Sequence, residues 1–207
     1  NDLSWFAPIQ GLGASDVNGN TWYDWTRYFE TVPRGALERT LFYESDRMGY
    51  LLPAVTQTKL DTQRGVVQNE KRGDDNQPGG LLQYSIQHTL FPQGNPYHHT
   101  VIGSMGDLDK ASLEVVKDWF RSHYGPNNAV LVLAGDISAA EAHPLVEKYF
   151  GDIPAGPKST PASAAVPTLK APVTRVFHDE VANTTLFRMW AVPGVTGKDT
   201  AALEMAA

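Results

Sequence analysis

The stretch from Pro154 to Lys170 most constrains how this chain can fold. It is rich in proline, alanine and serine, and it carries no apolar periodicity. Proline interrupts both helix and sheet hydrogen bonding, so such a stretch continues neither element. We therefore expect a linker at residues 154–170, with one domain at residues 1–153 and the start of a second domain at residues 171–207.

Charge and composition exclude several classes of protein. The 207 residues include 17 basic and 23 acidic side chains, for a net charge of -6, and basic residues form no long run. This balance argues against a nucleic-acid partner. The chain has no cysteine, which excludes disulfide scaffolds, thiolate zinc sites and a cysteine nucleophile. No apolar run reaches 18 residues, so we expect no membrane span.

Hydrophobic periodicity predicts a helix-rich chain with few strands. This order fits an α+β fold better than strict alternation of strands and helices. Helices are predicted at Asp2–Gln10, Ala36–Met48, Leu60–Arg72, Leu81–Leu90 and Leu113–Tyr124, after Ser138 and from Gly197; strands are predicted at Asn20–Val32, at Ala129–Ala134 as a central strand, and within Val173–Val192.

One predicted helix carries a candidate functional acid. In Leu60–Arg72, the residues Gln63, Val67 and Glu70 have helical spacing and share one face. From these residues alone an ordinary solvated glutamate is the better interpretation, since most helix glutamates are exposed. Motifs elsewhere in the chain change that interpretation.

Three segments occur in an order that resembles a known family. They are N-G-N-T-W-Y-D-W-T-R-Y at Asn18–Tyr28, R-G-V-V-Q-N-E at Arg64–Glu70, and Y-G-P-N-N-A at Tyr124–Ala129 followed by L-A-G-D at Leu133–Asp136. The chain resembles the insulinase/pitrilysin family of zinc peptidases, the inverzincins. The resemblance covers residues 1–153, and the remainder is similar to the start of the family's second domain.

The resemblance implies a mitochondrial-processing-peptidase-like metallopeptidase domain, in which an antiparallel sheet packs with helices. The family's zinc is held by two histidines of a His-x-x-Glu-His motif and by a later glutamate, and the motif's own glutamate is the general base. Glu70 matches the later glutamate. The motif itself is absent from the chain, so we expect an N-terminally truncated fragment with one zinc ligand, no catalytic residue and no activity of its own.

The resemblance also implies a substrate strand. Asn18, Gly19, Asn20 and Thr21 match the start of an edge strand that pairs with extended peptides in this family. A plain core strand is the alternative, and it is preferred for Tyr23, Trp25, Thr26 and Tyr28.

Gln63 stands where some family members have an acid that acts outside the metal's own ligands. Such a residue could orient a zinc-binding histidine, and a solvated or helix-packing glutamine is an equal alternative. The six histidines form no ligand pattern. His98 and His99 are adjacent, and adjacent residues on an extended loop point to opposite sides.

These features imply that the intact protein is a zinc metalloendopeptidase. It would hydrolyse unfolded or short peptides in a chamber closed by a second homologous half or subunit. A noncatalytic partner subunit of the same family and a zinc-independent peptide-binding module are the alternatives. Analogy with exported bacterial members points to a periplasmic or secreted protein.

Overall fold

The computed structural model describes residues 6–206, so the first residues of the helix predicted from Asp2 lie outside it. Within this part of the chain there are two compact units. The first unit contains the residues up to Gln63 together with Lys110–Thr160. The second contains Arg64–Asp109 and the residues from Pro161 onward.

The first unit begins with a short helix and a β-hairpin. Helix α1 spans Phe6–Gln10, and strands β1 (Ser15–Thr21) and β2 (Thr26–Thr31) pair antiparallel. The Trp22 amide donates to the Trp25 carbonyl at 2.8 Å and closes the turn between the strands. The prediction of one strand over Asn20–Val32 was therefore wrong, because this turn reverses the chain in the middle of the aromatic stretch.

Gly19 is opposite Tyr28 in the hairpin, and the tyrosine ring lies directly over it. A Cβ atom added at Gly19 would be 2.9 Å from Tyr28 Cδ1, closer than real contacts allow. The Tyr28 hydroxyl in turn lies 3.0 Å from the Tyr124 hydroxyl. The absent side chain at Gly19 thus permits the ring position that links the hairpin to the end of a later helix.

Helices make up most of the remaining regular structure, and two of them begin with a serine cap. Ser112 Oγ accepts from the Val115 amide at 3.2 Å, and Ser138 with Glu141 forms a capping box. The predicted helices after Pro33, through Glu70, and from Leu81, Leu113 and Ser138 are confirmed. The helices are α2 (Leu37–Tyr50), α3 (Gln57–Asp75), α4 (Leu82–Leu90), α5 (Met105–Lys110), α6 (Leu113–His123), α7 (Ala139–Phe150) and α8 (Thr200–Ala206).

Helices α2 and α7 pack together in the first unit. Glu38 accepts hydrogen bonds from Lys148 Nζ at 2.6 Å and from the Tyr149 hydroxyl at 2.9 Å. The Phe42 and Tyr149 rings meet edge to face, with 6.3 Å between centroids. Among the described residues the buried apolar side chains are few, namely Ile9, Ala36, Leu41 and Ile153.

The second unit contains the C-terminal half of α3 with α4 and α8. The Gly79 amide, in the turn between α3 and α4, donates to Asp179 Oδ2 at 2.8 Å. That contact ties the turn to a segment about 100 residues later in the chain. Residues 154–170 form no helix or strand, and the predicted domain boundary there stays a prediction.

The α+β class is confirmed, with a sheet smaller than predicted. The strands predicted at Ala129–Ala134 and within Val173–Val192 were wrong, since neither segment pairs with another strand in the described part of the chain. Val130 and Val132 are 89% and 75% exposed. An apolar run gives a buried strand only where neighbouring strands supply both edges, and residues 6–206 supply none here.

The close approach of Tyr28 to Gly19 predicts a stability effect. Gly19→Ala should lower the free energy of unfolding by about 1–3 kcal/mol, because the ring must move off its site. Gly35→Ala is the matched control, since an added Cβ there has nothing within 4 Å. Urea denaturation followed by circular dichroism measures both; equal stability of the two variants would contradict the packing at Gly19.

Candidate functional site

Helix α3 presents Glu70 to solvent. Gln63 and Glu70 are exposed and Val67 is half-buried, as expected for residues that share one outward face. Within residues 6–206 the Glu70 carboxylate makes no hydrogen bond and no ion pair. Both oxygens are therefore available to an outside partner.

Polar contacts hold a different face of the same helix. Arg64, Gln68, Lys71 and Asp75 recur at positions i, i+4, i+7 and i+11, so they form one stripe, which we call the α3 polar stripe. Arg64 Nε donates to the Leu108 carbonyl at 2.9 Å, and Gln68 Nε2 donates to Asp109 Oδ1 at 2.7 Å. The sequence reasoning missed this stripe, although its helical spacing was a visible signal.

Lys71 is the buried centre of the stripe. Its Nζ donates to the Tyr84 hydroxyl and, at 3.2 Å, to Asp75 Oδ2, while Tyr84 donates to Asp75 Oδ1 at 2.7 Å. Burial alone would lower the pKa of Lys71, but the hydrogen bonds to Tyr84 and Asp75 outweigh it and the pKa is raised. The hydrogen bond from Tyr84 lowers the pKa of Asp75. Lys71 and Asp75 therefore form a charged pair.

The exposed carboxylate of Glu70 is a group of the kind that binds zinc, and the described residues do not form a complete set of ligands around it. A carboxylate oxygen is suitable zinc chemistry, yet zinc sites use three or four protein ligands. Among residues 6–206 no three histidine, cysteine, aspartate or glutamate side chains come together as possible ligands. We therefore derive no chemical step through a metal in this chain.

The histidines make local contacts. His98 lies in the loop after α4, where its Nδ1 is 2.7 Å from the Phe91 carbonyl and its ring stacks on His88 at 4.5 Å. His99 Nδ1 is 2.9 Å from the Thr100 carbonyl. On α6, His123 stacks on Trp119 at 3.8 Å. These positions agree with the interpretation that His98 and His99 are ordinary loop residues.

The predicted substrate residues Asn18 to Thr21 lie on β1 beside a shallow cleft. In the described structure β1 pairs only with β2, which leaves its other edge open. The cleft has a volume of about 340 Å³ and is bordered by these four residues and by Phe6, Thr26, Tyr28 and Arg47. The Gly19 amide is already bonded to Asn18 Oδ1 at 2.8 Å, so other backbone groups of β1 would have to pair with a peptide.

A charged cluster adjoins this cleft and includes two of its lining residues, Tyr28 and Arg47. The Arg47 guanidinium is 3.8 Å from the centre of the Tyr28 ring and forms an ion pair with Glu44 on the same helix. Burial raises the pKa of Tyr28, and so does its hydrogen bond to Tyr124. Burial, together with the Glu44 carboxylate, raises the pKa of Glu30 to about 7, against an opposing effect of Arg47. Sequence reasoning assigned Tyr28 to a core strand and did not single out Glu30, Glu44 or Arg47.

Asn18–Thr21 and Gln63 belong to the first unit, and Glu70 belongs to the second. Gln63 and Glu70 are seven residues apart on α3, about 10 Å along its axis. That separation is too long for both to contact one ion. The roles of Glu70, Gln63 and the β1 residues stay predictions.

Comparison with known proteins identifies similar peptidases. A family model described as "Peptidase M16 inactive domain" matches residues 110–207. The zinc protease PqqE of Helicobacter pylori is 31% identical over 134 residues, which are 64% of this chain and 30% of that protein. The chain thus resembles M16 peptidases. The predicted resemblance to the insulinase/pitrilysin zinc peptidases is confirmed.

Solved structures agree with this resemblance. The crystal structure of a protease from Helicobacter pylori matches this chain with a TM-score of 0.67 and 28% identity, over 79% of this chain and 38% of that one. The first half of the periplasmic protease PqqL from Escherichia coli matches its fold with a TM-score of 0.64 and 21% identity, over 78% and 35% of the two chains. The chain thus spans about a third of the length of these proteins.

The raised pKa of Glu30 predicts a pH dependence of stability. A folded-state pKa of about 7 lies above the ordinary glutamate value of 4.5, so the folded state binds this proton more tightly. The resulting stabilisation is complete below pH 4.5 and is lost as the pH rises through 7. Glu30→Gln should therefore gain stability relative to wild type between pH 5 and pH 8.

Urea denaturation of both proteins at intervals across that range measures the effect. A difference between the variant and wild type that does not change with pH would contradict the assignment of the titration to Glu30.

Proposed function

We propose that the full-length protein is a zinc metalloendopeptidase that hydrolyses peptide bonds in unfolded or short peptides. The observation that carries this proposal is the exposed, unpaired carboxylate of Glu70 at the family's glutamate motif. The similarity of the chain to a protein named as a zinc protease also supports peptide-bond hydrolysis. An accessible carboxylate on a well-supported helix is what a metal ligand requires.

Glu70 is proposed as one oxygen ligand of that zinc, beside two histidines of a His-x-x-Glu-His motif, which these 207 residues do not contain. When bound, such a zinc lowers the pKa of a water molecule and polarises a peptide carbonyl. Gln63 is proposed to orient one of the histidines by a hydrogen bond. No catalytic residue is assigned within these 207 residues, so the isolated chain is expected to be inactive.

The open edge of β1 is proposed as the place where the peptide binds. Backbone groups along Asn18–Thr21 would pair with an extended substrate, and such pairing depends little on the substrate's sequence. The cleft beside the strand, next to Gly19 and Tyr28, would receive side chains of the bound peptide. This arrangement suits a protease of unfolded peptides, because only an extended chain can add to a strand edge.

A second homologous half or subunit is the proposed partner that closes the site. The similarity to the first half of PqqL supports an arrangement of this kind, and that protein is described as periplasmic. We propose the same compartment, or secretion, for the full-length protein. No helix within residues 6–206 is long and apolar enough to cross a bilayer.

A noncatalytic role in the same family is the second candidate. The description "inactive domain" for the model that matches residues 110–207 favours it for this part of the chain. A noncatalytic subunit would lack zinc even at full length. A peptide-binding module that uses only β1 would bind peptides equally with and without zinc. An intact His-x-x-Glu-His upstream of Asn1 would favour the enzyme.

The ligand role of Glu70 can be tested in the full-length protein. Glu70→Gln should lose bound zinc and peptide hydrolysis while it remains folded, since an amide oxygen is a much weaker zinc ligand. Glu114→Gln, an exposed acid on α6, is the control and should keep both properties. Metal analysis and a peptide cleavage assay measure the outcome, and full zinc occupancy in Glu70→Gln would exclude the assignment.

The isolated 207-residue chain should bind no stoichiometric zinc at neutral pH. One carboxylate without nitrogen ligands does not hold zinc against water. Metal analysis after incubation with zinc and removal of unbound metal tests this expectation. Tight binding of one zinc per chain would show that ligands outside the predicted set exist.

A further inference from the structure

We propose that the α3 polar stripe is a positioning device for Glu70. This inference rests on the role proposed above for Glu70, and it concerns residues for which neither the family motif nor the sequence analysis gives a role. The stripe consists of Arg64, Gln68, Lys71 and Asp75. It fixes the rotation of α3 about its axis and thereby the direction in which Glu70 projects.

Contacts of the stripe join α3 to two other elements of the second unit. Arg64 and Gln68 bond to Leu108 and Asp109 in α5, at 2.9 and 2.7 Å. Lys71 and Asp75 bond to Tyr84 in α4. The contacts extend from Arg64 to Asp75, so they oppose a rotation along the whole of the C-terminal half of the helix.

Lys71 opposes a rotation of α3 most strongly because its side chain is buried. The residue is 4% exposed, and its Nζ lies 4.3 Å from the centre of the Tyr84 ring as well as in contact with Asp75. A rotation of α3 would break the hydrogen bonds that Lys71 and Asp75 both make with Tyr84 on α4, and a buried polar group that loses its partner is costly. The helix therefore has one strongly preferred orientation.

Glu70 directly precedes Lys71, so the two side chains leave the helix about 100° apart. With Lys71 directed inward, Glu70 is directed to solvent, as observed. A rotation of α3 by about 20° would move a side-chain atom at the helix surface, about 6 Å from the axis, by about 2 Å. Metal–ligand distances tolerate only about 0.2 Å.

The test compares zinc affinity in the full-length protein and in two variants of equal charge. Lys71→Met removes the buried cation. Arg72→Met removes the neighbouring exposed cation, which donates a local hydrogen bond to Asn69 Oδ1 at 2.8 Å. Chelator competition gives the zinc dissociation constant, and thermal unfolding of the metal-free proteins gives their stability. Lys71→Met should bind zinc at least tenfold more weakly, and Arg72→Met should bind it like wild type.

A purely structural role for Lys71 would lower the unfolding temperature and leave the zinc dissociation constant of the folded protein unchanged, which would overturn the proposal. If Lys71→Met does not fold, Tyr84→Phe decides, since it removes only the hydroxyl between Lys71 and Asp75. Severalfold weaker zinc binding by Tyr84→Phe supports the proposal, and unchanged binding overturns it. Full zinc occupancy in Glu70→Gln would instead exclude the ligand assignment itself.

Discussion

Polar contacts between helices, more than apolar burial, determine the geometry of this chain. Few apolar side chains are buried in the described residues, and they lie around α1, α2 and the end of α7. In the second unit, side-chain hydrogen bonds join α3 to its neighbours: Lys71 and Asp75 both bond to Tyr84 on α4, and Gln68 bonds to Asp109 on α5. Such contacts are directional, so they determine the orientation of a helix more narrowly than an apolar surface would.

Two faces of α3 therefore differ in their contacts. One face bonds to α4 and α5 and carries the charged pair of Lys71 and Asp75. The other face offers Glu70 to the outside with no competing partner in the described residues. A ligand that was paired within its own domain would have to give up that contact before it could bind a metal. Strand β1 in the first unit has a comparable arrangement. Tyr28 and Arg47 contact each other beside the strand, and the edge of β1 that faces away from β2 is not paired with a strand in the described residues.

The helices were predictable because their signals are local. Apolar spacing and caps such as Ser138 with Glu141 act within a few residues and do not depend on the rest of the chain. Strands depend on partners, which is why the apolar run at Ala129–Ala134 gave a wrong prediction. The hairpin was missed because Trp22 and Trp25, typical strand residues, flank its turn. Glu70 was found through the family motif, whereas the stripe beside it consists of polar side chains whose partners lie at distant positions in the sequence.

The exposed valines at positions 130 and 132 have a consequence for the chain in solution. They stand on an extended, apolar segment whose backbone donors and acceptors are not used by a neighbouring strand within residues 6–206. Such a segment is a template for strand addition by any chain that meets it. The six-residue run Ala129–Ala134 therefore favours self-association of these 207 residues. Their solubility at high concentration depends on whether that run is covered.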